Sequence, residues 1–181
     1  MIRRRESVRC FEYNGSVQRN GVVINGIPQT AEINDLYAVN DAYRQIDIDE
    51  NIIVSDAKPD VEQIQNVNME LCLEDAWTSP SGFKVFMKGV IWQKITYTAC
   101  NAEQTVHTIE KEIPFSHFID LRQFGAGPVP LGFDPFNNIT LVPEDAFVQI
   151  VNGRKIFKDV IVTSFITVPG ANGGNGGGGV A

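Results

Sequence analysis

Alternating apolar and polar residues dominate the centre of this chain and predict long β-strands. From residue 83 to residue 99 every second side chain is apolar except Gln93, which interrupts that face, while lysines and threonines occupy much of the other face. A period of two is typical of a strand that buries one side. A turn at residues 100–103 leads into a second strand-like stretch. We therefore expect a central hairpin that ends at Pro114, because proline cannot donate a ladder hydrogen bond.

The same pattern recurs along the chain. Residues 46–54 and 67–74 alternate, and Asn-Gly pairs such as Asn152-Gly153 are typical of tight hairpin turns. Residues 36–39 are expected to form a brief strand. One short helix is expected near residues 59–65, since Pro59 suits the first helical position and Val61 and Ile64 would face the core. The sequence predicts an all-β fold, with antiparallel sheets arranged as a β-sandwich or a barrel.

Charge argues against nucleic acid as a partner. The net charge is −7, with 22 acidic and 15 basic residues, whereas phosphate binding needs a clustered basic face. The exception is the run Arg3, Arg4 and Arg5. It is interpreted either as a solvated arm or as an arm that docks in an acidic groove of a neighbouring subunit.

The N-terminus and the cysteines bear on location. No apolar run reaches membrane-spanning length, and the first residues do not resemble a signal peptide. We expect a protein made in the cytoplasm and not inserted in a membrane. Cys10, Cys72 and Cys100 show no metal-ligand spacing. They are interpreted either as free thiols or as sites of intermolecular cross-linking.

Two segments contribute little to a core pattern. Residues 121–145 are rich in proline and glycine but carry Phe124, Phe133 and Phe136, which would either fold back as a lid or contact another subunit. Residues 169–181 form a tail rich in glycine, including Gly173 and Gly174, which cannot bury enough surface to order itself. A neighbouring subunit would be the simplest surface to hold it.

A catalytic constellation is not apparent. His107 and His117 lie in neither a nucleophile-elbow nor a papain-like context. Asp47, Asp49 and Glu50 lack the glycine bend and the distant glutamate of a calcium loop and are interpreted as a solvated acidic face. We expect a protein that is not an enzyme and that uses neither a metal nor another cofactor.

Several motifs resemble a known family. The heptad KPDVEQI at residues 58–64, the strand at residues 89–97, and QTVH at 104–107 followed by IPFSHFID at 113–120 resemble the SPOCS domain. That domain occurs in proteins of spore-forming Firmicutes, including coat and morphogenetic proteins. The resemblance extends over about residues 44–168. It implies an extension at residues 1–43, a SPOCS-like β domain at 44–168 and a tail at 169–181.

The resemblance implies a place and a class of partner more than a reaction. The expected protein is a structural, self-assembling component of the spore surface (coat, exosporium or appendage), deposited there from the mother-cell cytoplasm. Its subunits would join through strand edges and the two terminal arms. One alternative is a monomeric adaptor that recruits another coat protein. The other is a carbohydrate-binding module that uses Trp77, Trp92 or Tyr97 as a stacking platform.

Overall fold

The computed structural model describes residues 8–40 and 42–168. Within them the chain forms nine strands and two α-helices, with a 3-10 turn at Leu121–Phe124. The helices are α1 (Thr30–Val39) and α2 (Pro135–Asn138). The strands are β1 (Arg9–Phe11), β2 (Gly15–Arg19), β3 (Val22–Ile27), β4 (Ala42–Ile53), β5 (Val61–Thr78), β6 (Lys84–Ala99), β7 (Val106–Asp120), β8 (Ile139–Asn152) and β9 (Lys155–Ile166).

The strands form two sheets that share one core. The large sheet has the order β2-β3-β5-β6-β7, with β1 paired to β5, and the small sheet has the order β4-β9-β8. All pairs are antiparallel except β3 with β5. Across residues 8–40 and 42–168, no ladder joins the two sheets into a closed barrel. The all-β prediction is confirmed, and of its two forms the structure is the sandwich.

The alternation of β6 is confirmed residue by residue. Its odd-numbered side chains, from Val85 to Ala99, are buried between the sheets, and Gln93 is buried with them. The inward side chains of β5 and β7, its neighbours in the large sheet, and of β4, β8 and β9 in the small sheet supply the rest of the core. Gln93 is therefore a polar residue at a core position.

The helix predicted near residues 59–65 is wrong. β5 begins at Val61, and both Val61 and Ile64 are buried in its ladder with β6. The register of that ladder shifts between Val61 and Gln63 and again between Ile64 and Asn66. These irregularities place two side chains three positions apart on one face of a strand, which imitates the spacing of a helix.

The longer helix lies elsewhere, and the brief strand predicted at residues 36–39 is also wrong. Residues 36–39 form the last turn of α1. At the start of this helix, the Glu32 carboxylate accepts a hydrogen bond from Gln29 N (2.7 Å). None of the α1 side chains is fully buried. Tyr37 anchors the helix on the outside of the small sheet, with its ring edge-on to that of Phe165 at 4.8 Å. Because so few side chains of α1 pack against the sheet, its sequence lacks the apolar stripe from which a helix is predicted.

Two prolines lie inside strands. Pro114 pairs with Val90 in the β6–β7 ladder, so β7 does not end there as predicted, and Pro143 pairs with Val162 in β8. Both β7 and β8 are edge strands, where an outward position needs no N–H donor. Since β8 begins at Ile139, the predicted loop at residues 121–145 is shorter than expected.

A disulfide ties the N-terminal region to the large sheet. Cys10 of β1 lies directly opposite Cys72 of β5, and their sulfurs are bonded. The predictions of free thiols or intermolecular cross-links are therefore wrong for these two residues, because the pairing of β1 with β5 brings the sulfurs together within one chain. Cys100 is an exposed thiol, and its cross-linking stays a prediction. The domain boundary at residue 43 also stays a prediction, although β1–β3 join the same sheet as β5–β7.

Candidate interaction surfaces

The outer side of the small sheet carries a concentration of like charge. Asp47 and Asp49 of β4 and Asp159 of β9 point outward, and Asp49 lies directly opposite Asp159 in the ladder. We call these three residues the acidic face. The prediction that Glu50 belongs to a solvated acidic face is wrong, because Glu50 lies half-buried on the inner side of β4, opposite the buried Lys158. The pKa of Asp159 is raised, first by burial and then by the charges of Asp47 and Asp49. Like charges opposite each other in a sheet are destabilising.

The acidic face is not neutralised within the described part of the chain. The nearby Asp145 is paired with Arg19 (2.9 Å), but no described side chain forms an ion pair with Asp47, Asp49 or Asp159. One carboxylate oxygen of Asp159 is buried without a hydrogen-bond partner among those residues. The same surface presents half-buried apolar side chains, namely Phe147, Phe157 and Ile161. This combination is suited to a cationic partner.

The outer side of the large sheet has its charges matched instead. Lys94 and Glu110 lie opposite each other on β6 and β7, with 3.7 Å between their charged atoms. Lys88 lies opposite Asp75 of β5. Exposed pairs of this kind contribute little to stability, but in each of them an acid lies beside a base.

A row of aromatic rings crosses that same outer side. Trp77, Phe86 and Phe118 lie side by side on β5, β6 and β7, with ring centroids 5.6 Å and 5.4 Å apart. The Arg44 guanidinium and the Lys84 ammonium each lie 4.9 Å from the Phe118 ring centroid. Trp77 is 44% exposed, and a hollow of about 370 Å³ borders the row.

Of the three predicted stacking residues, the structure therefore brings Trp77 into an exposed aromatic group. Trp92 is half-buried and borders a separate hollow of about 220 Å³. Tyr97 is wholly buried, and its hydroxyl donates to the Pro59 carbonyl at 3.0 Å. Tyr97 is a core residue, so its prediction as a surface platform is wrong.

The two edges of the sandwich differ in how they are closed. On one side, β8 lies against the N-terminal region, whose side chains bind carbonyls of β8 and of the preceding α2. Arg9 donates to the carbonyls of Phe136 (2.9 Å) and Ile139 (2.8 Å), and Tyr13 donates to that of Leu141 (2.9 Å). We call this the closed side.

On the other side, β4 faces β7, and within the described ranges no backbone ladder joins them. Two side chains bridge the gap near its ends: Arg44 donates to the Phe118 carbonyl (2.8 Å) and Lys58 to the Thr108 carbonyl (2.7 Å). Beside Lys58 lies a groove of about 690 Å³. We call this the open side, and it includes the outer edge of β7. Its groove is lined by Ile52, Ile53, Ser55, Lys58, Thr108, Ile109, Glu110 and Lys111.

A polar layer crosses the interior next to the open side. It consists of Gln93 and Lys111, neighbours on β6 and β7, and Glu50 and Lys158, neighbours on β4 and β9. Lys158 Nζ donates to Gln93 Oε1, and Lys111 Nζ lies 2.5 Å from Glu50 Oε1. Lys158 is 0% exposed and Gln93 is 4% exposed. Gln93 Nε2 and Glu50 Oε2 are buried without a partner among the described residues.

A second polar contact between the sheets involves one of the two histidines. His117 Nε2 and Ser164 Oγ are 2.6 Å apart, and Ser164 is wholly buried. Burial, followed by the charge of Arg44, lowers the pKa of His117 to about 4. His117 Nδ1 has no partner among residues 8–40 and 42–168. His107 hydrogen-bonds Thr105 at 2.8 Å near the β7 start.

The predicted interface residues divide into two groups. Phe124, Phe133 and Phe136 are half-buried and pack against the core of their own chain, which is the lid arrangement. Their contact with another subunit stays a prediction. Arg3, Arg4, Arg5, Gly173 and Gly174 lie outside the described residues.

The predicted absence of a metal stays an expectation. The described residues contain one grouping of three possible ligands, which consists of Cys10, Glu70 and Cys72. Two of its three ligand atoms are the disulfide sulfurs, and a metal-binding cysteine must be a thiolate. This grouping therefore does not fit a metal site while the disulfide is intact.

Comparison with known proteins agrees with the resemblance seen in the sequence. Residues 60–129, which span β5, β6 and β7, match the family described as SipL, SPOCS domain. The match is shorter than the expected residues 44–168. No curated protein and no solved structure matches the chain. No helix in the described part is long and apolar enough to cross a membrane.

Proposed function

Because the chain carries a SPOCS domain over residues 60–129, which suggests a spore-associated role, we propose that it is a structural, self-assembling protein of the spore surface. Its place is the coat, the exosporium or an appendage, and its partners are further copies of itself and other coat proteins. Its role is mechanical and not enzymatic. The observation that carries this proposal is the acidic face.

The acidic face supports an attraction between copies. Folding places Asp49 opposite Asp159 with Asp47 close by, an arrangement that costs free energy in the isolated chain. Surfaces whose charge is costly alone and useful in a complex are typical of interaction sites. The chain also carries cations of matching chemistry in Arg3, Arg4 and Arg5. We place the arginine arm of one copy on the acidic face of the next.

Such a contact propagates. In this arrangement each copy offers its arm to one neighbour and receives the arm of another on its acidic face. Head-to-tail contacts of this kind produce rings when the rotation closes and filaments when it does not. The open side adds a second contact, because unpaired strand edges are templates for a further strand.

The disulfide supports the location. Cystines form and persist in oxidising surroundings and are rare in the reducing cytosol. A chain made in the mother-cell cytoplasm and deposited on the spore surface would gain its Cys10–Cys72 bond after leaving that compartment.

Assembly of the purified full chain tests the proposal. Negative-stain microscopy and size-exclusion chromatography should show rings, filaments or large oligomers. Replacing Arg3, Arg4 and Arg5 with serine, or deleting residues 170–181, should reduce assembly and leave the melting temperature almost unchanged. A full-length chain that stays monomeric at high concentration would contradict self-assembly and favour the adaptor.

A second candidate function rests on the aromatic row. Stacked, partly exposed rings next to a hollow suit the apolar face of a sugar. Cell-wall oligosaccharides should then shift the tryptophan fluorescence, and Trp77→Ala should abolish the shift while Trp92→Phe retains it. An unchanged spectrum at millimolar sugar would exclude carbohydrate binding at this row.

A further inference from the structure

Three groups of the polar layer have the chemistry needed to transfer an amide. Lys158 supplies an amine, Gln93 a carboxamide and Glu50 a carboxylate. The amine and the carboxamide are in direct hydrogen-bond contact across the two sheets. Glu50 lies directly opposite Lys158 in the β4–β9 ladder, and its charge acts on the Lys158 amine.

The interior makes the Lys158 amine reactive. Burial lowers its pKa to about 7, opposed in part by the charge of Glu50. A large fraction of the amine is therefore neutral near neutral pH, and a neutral, desolvated lysine is a nucleophile. The fold holds the Lys158 amine against the Gln93 carboxamide, and a fixed contact of this kind favours a reaction between the two groups.

We propose that Lys158 and Gln93 join in an intramolecular isopeptide bond that the folded chain forms by itself. Lys158 Nζ attacks Cδ of Gln93, and a new Nζ–Cδ bond forms. The Cδ–Nε2 bond breaks, and Nε2 leaves as ammonia. The proton lost by Nζ is taken up by the departing nitrogen. The products are one amide and one ammonia, so no oxidant, reductant or further reactant is needed.

The unsatisfied atoms of the layer fit this reaction. Gln93 Nε2 is buried with no hydrogen-bond partner in the described residues, and leaving such a group unpaired is destabilising. It is also the atom that the reaction expels. Glu50 Oε2 is likewise buried without a hydrogen-bond partner in the described residues.

The bond would have a mechanical consequence. Lys158 lies on β9, the middle strand of the small sheet, and Gln93 on β6, an interior strand of the large sheet. A covalent link there would tie the two sheets through their common core. Together with the Cys10–Cys72 disulfide, it would resist separation of the strands in a mechanically loaded layer.

Intact-mass spectrometry of the purified full chain is the direct test. The mass should be lower, by one ammonia, than that of the sequence with one disulfide. After reduction and complete trypsin digestion, residues 89–94 should be recovered covalently joined to residues 156–181, with no cleavage after Lys158. Wild-type protein with the full mass and separate peptides would overturn the proposal and leave the layer as an ordinary buried polar contact.

Variants separate this bond from other losses of ammonia, such as imide formation at the Asn-Gly pairs. Lys158→Arg and Gln93→Leu should each remove the joined peptide, and each should abolish the loss of ammonia. Lys94→Arg, on the outer side of the same strand, is the matched control and should keep the bond. An ammonia deficit that persists in Lys158→Arg would also refute the proposal.

Discussion

The outer faces of the two sheets solve the problem of surface charge in opposite ways. On the large sheet, Lys94 faces Glu110 and Lys88 faces Asp75. On the small sheet, Asp49 faces Asp159. The core faces of both sheets follow the same apolar alternation, so the difference does not arise from the fold itself.

The contrast indicates which of the two surfaces is electrostatically favourable in the single chain. Opposite charges that face each other across two strands contribute slightly to stability, whereas two acids that face each other lower it. A costly arrangement is retained where something outside the chain benefits. The proposal therefore places the contact between subunits on the small sheet, and the outer charges of the large sheet would remain solvated.

The largest expected loss of stability comes from a core substitution in the large sheet, which tests the inner and outer sides of β6. Ile95 is wholly buried on the inner side of β6, and Lys94 is exposed on the outer side. Ile95→Ala should lower the free energy of unfolding by about 2–5 kcal/mol because it leaves a cavity. Lys94→Ala should change it by less than about 0.5 kcal/mol. Denaturant titration measures both, and equal losses would mean that the two sides of β6 are misassigned.

The disulfide is expected to come next. It closes a loop between Cys10 and Cys72, which are 62 residues apart in sequence. Replacing both with alanine, or reducing the bond, should cost about 2–4 kcal/mol, since the unfolded chain regains freedom. Thermal unfolding of the double variant checks this, and Cys100→Ala is the control that should be neutral. A double variant as stable as the wild type would show that β1 does not depend on the bond.

Acid should weaken the contact between the sheets at His117. Its pKa in the folded chain is about 4, below the ordinary 6.5, so the unfolded chain binds the proton more readily. The contribution of the neutral ring is present above pH 6.5 and is lost as the pH falls towards 4, by about 2–3 kcal/mol. Stability curves of wild type and His117→Gln should converge over this range. Parallel curves would contradict the assignment.

The smallest effect carries the most information about the acidic face. The pKa of Asp159 is raised in the folded chain, so its charged form opposes folding and the penalty grows as pH rises through that pKa. Asp159→Asn should therefore stabilise the chain at neutral pH by up to about 1 kcal/mol. Glu110→Gln, which removes a matched charge on the large sheet, should be neutral or slightly destabilising. If Asp159→Asn were destabilised, the charge of Asp159 would not oppose folding, and the contrast between the outer faces of the two sheets would not hold.

The sequence predicted the parts of the fold in which periodicity is regular. The β6 alternation held from Val85 to Ala99, and the turn at Asn152-Gly153 does connect β8 to β9. The prediction of a helix failed near Val61 and Ile64 because ladder irregularities in β5 imitate helical spacing. α1 was missed because none of its side chains is fully buried, so burial left no pattern in its sequence.

The polar layer was visible in part. Gln93 stood out as the one break in an apolar face, and its buried position explains the break. Glu50 and Lys158 occupy equivalent core positions of β4 and β9, and the same criterion would have found them. What the sequence does not contain is the pairing of strands far apart in the chain, which brings these three groups together and sets Asp49 opposite Asp159.

The most direct test of the central claim is sedimentation velocity on two variants with the same change in charge. One carries Asp47→Asn, Asp49→Asn and Asp159→Asn, and the other carries Asp75→Asn, Glu110→Gln and Glu112→Gln on the large sheet. We predict that the first variant is at least as stable as the wild type but sediments as a monomer. The second should assemble as the wild type does. Normal assembly of the first variant, or loss of assembly in both, would contradict the assignment of the acidic face as the surface that joins the subunits.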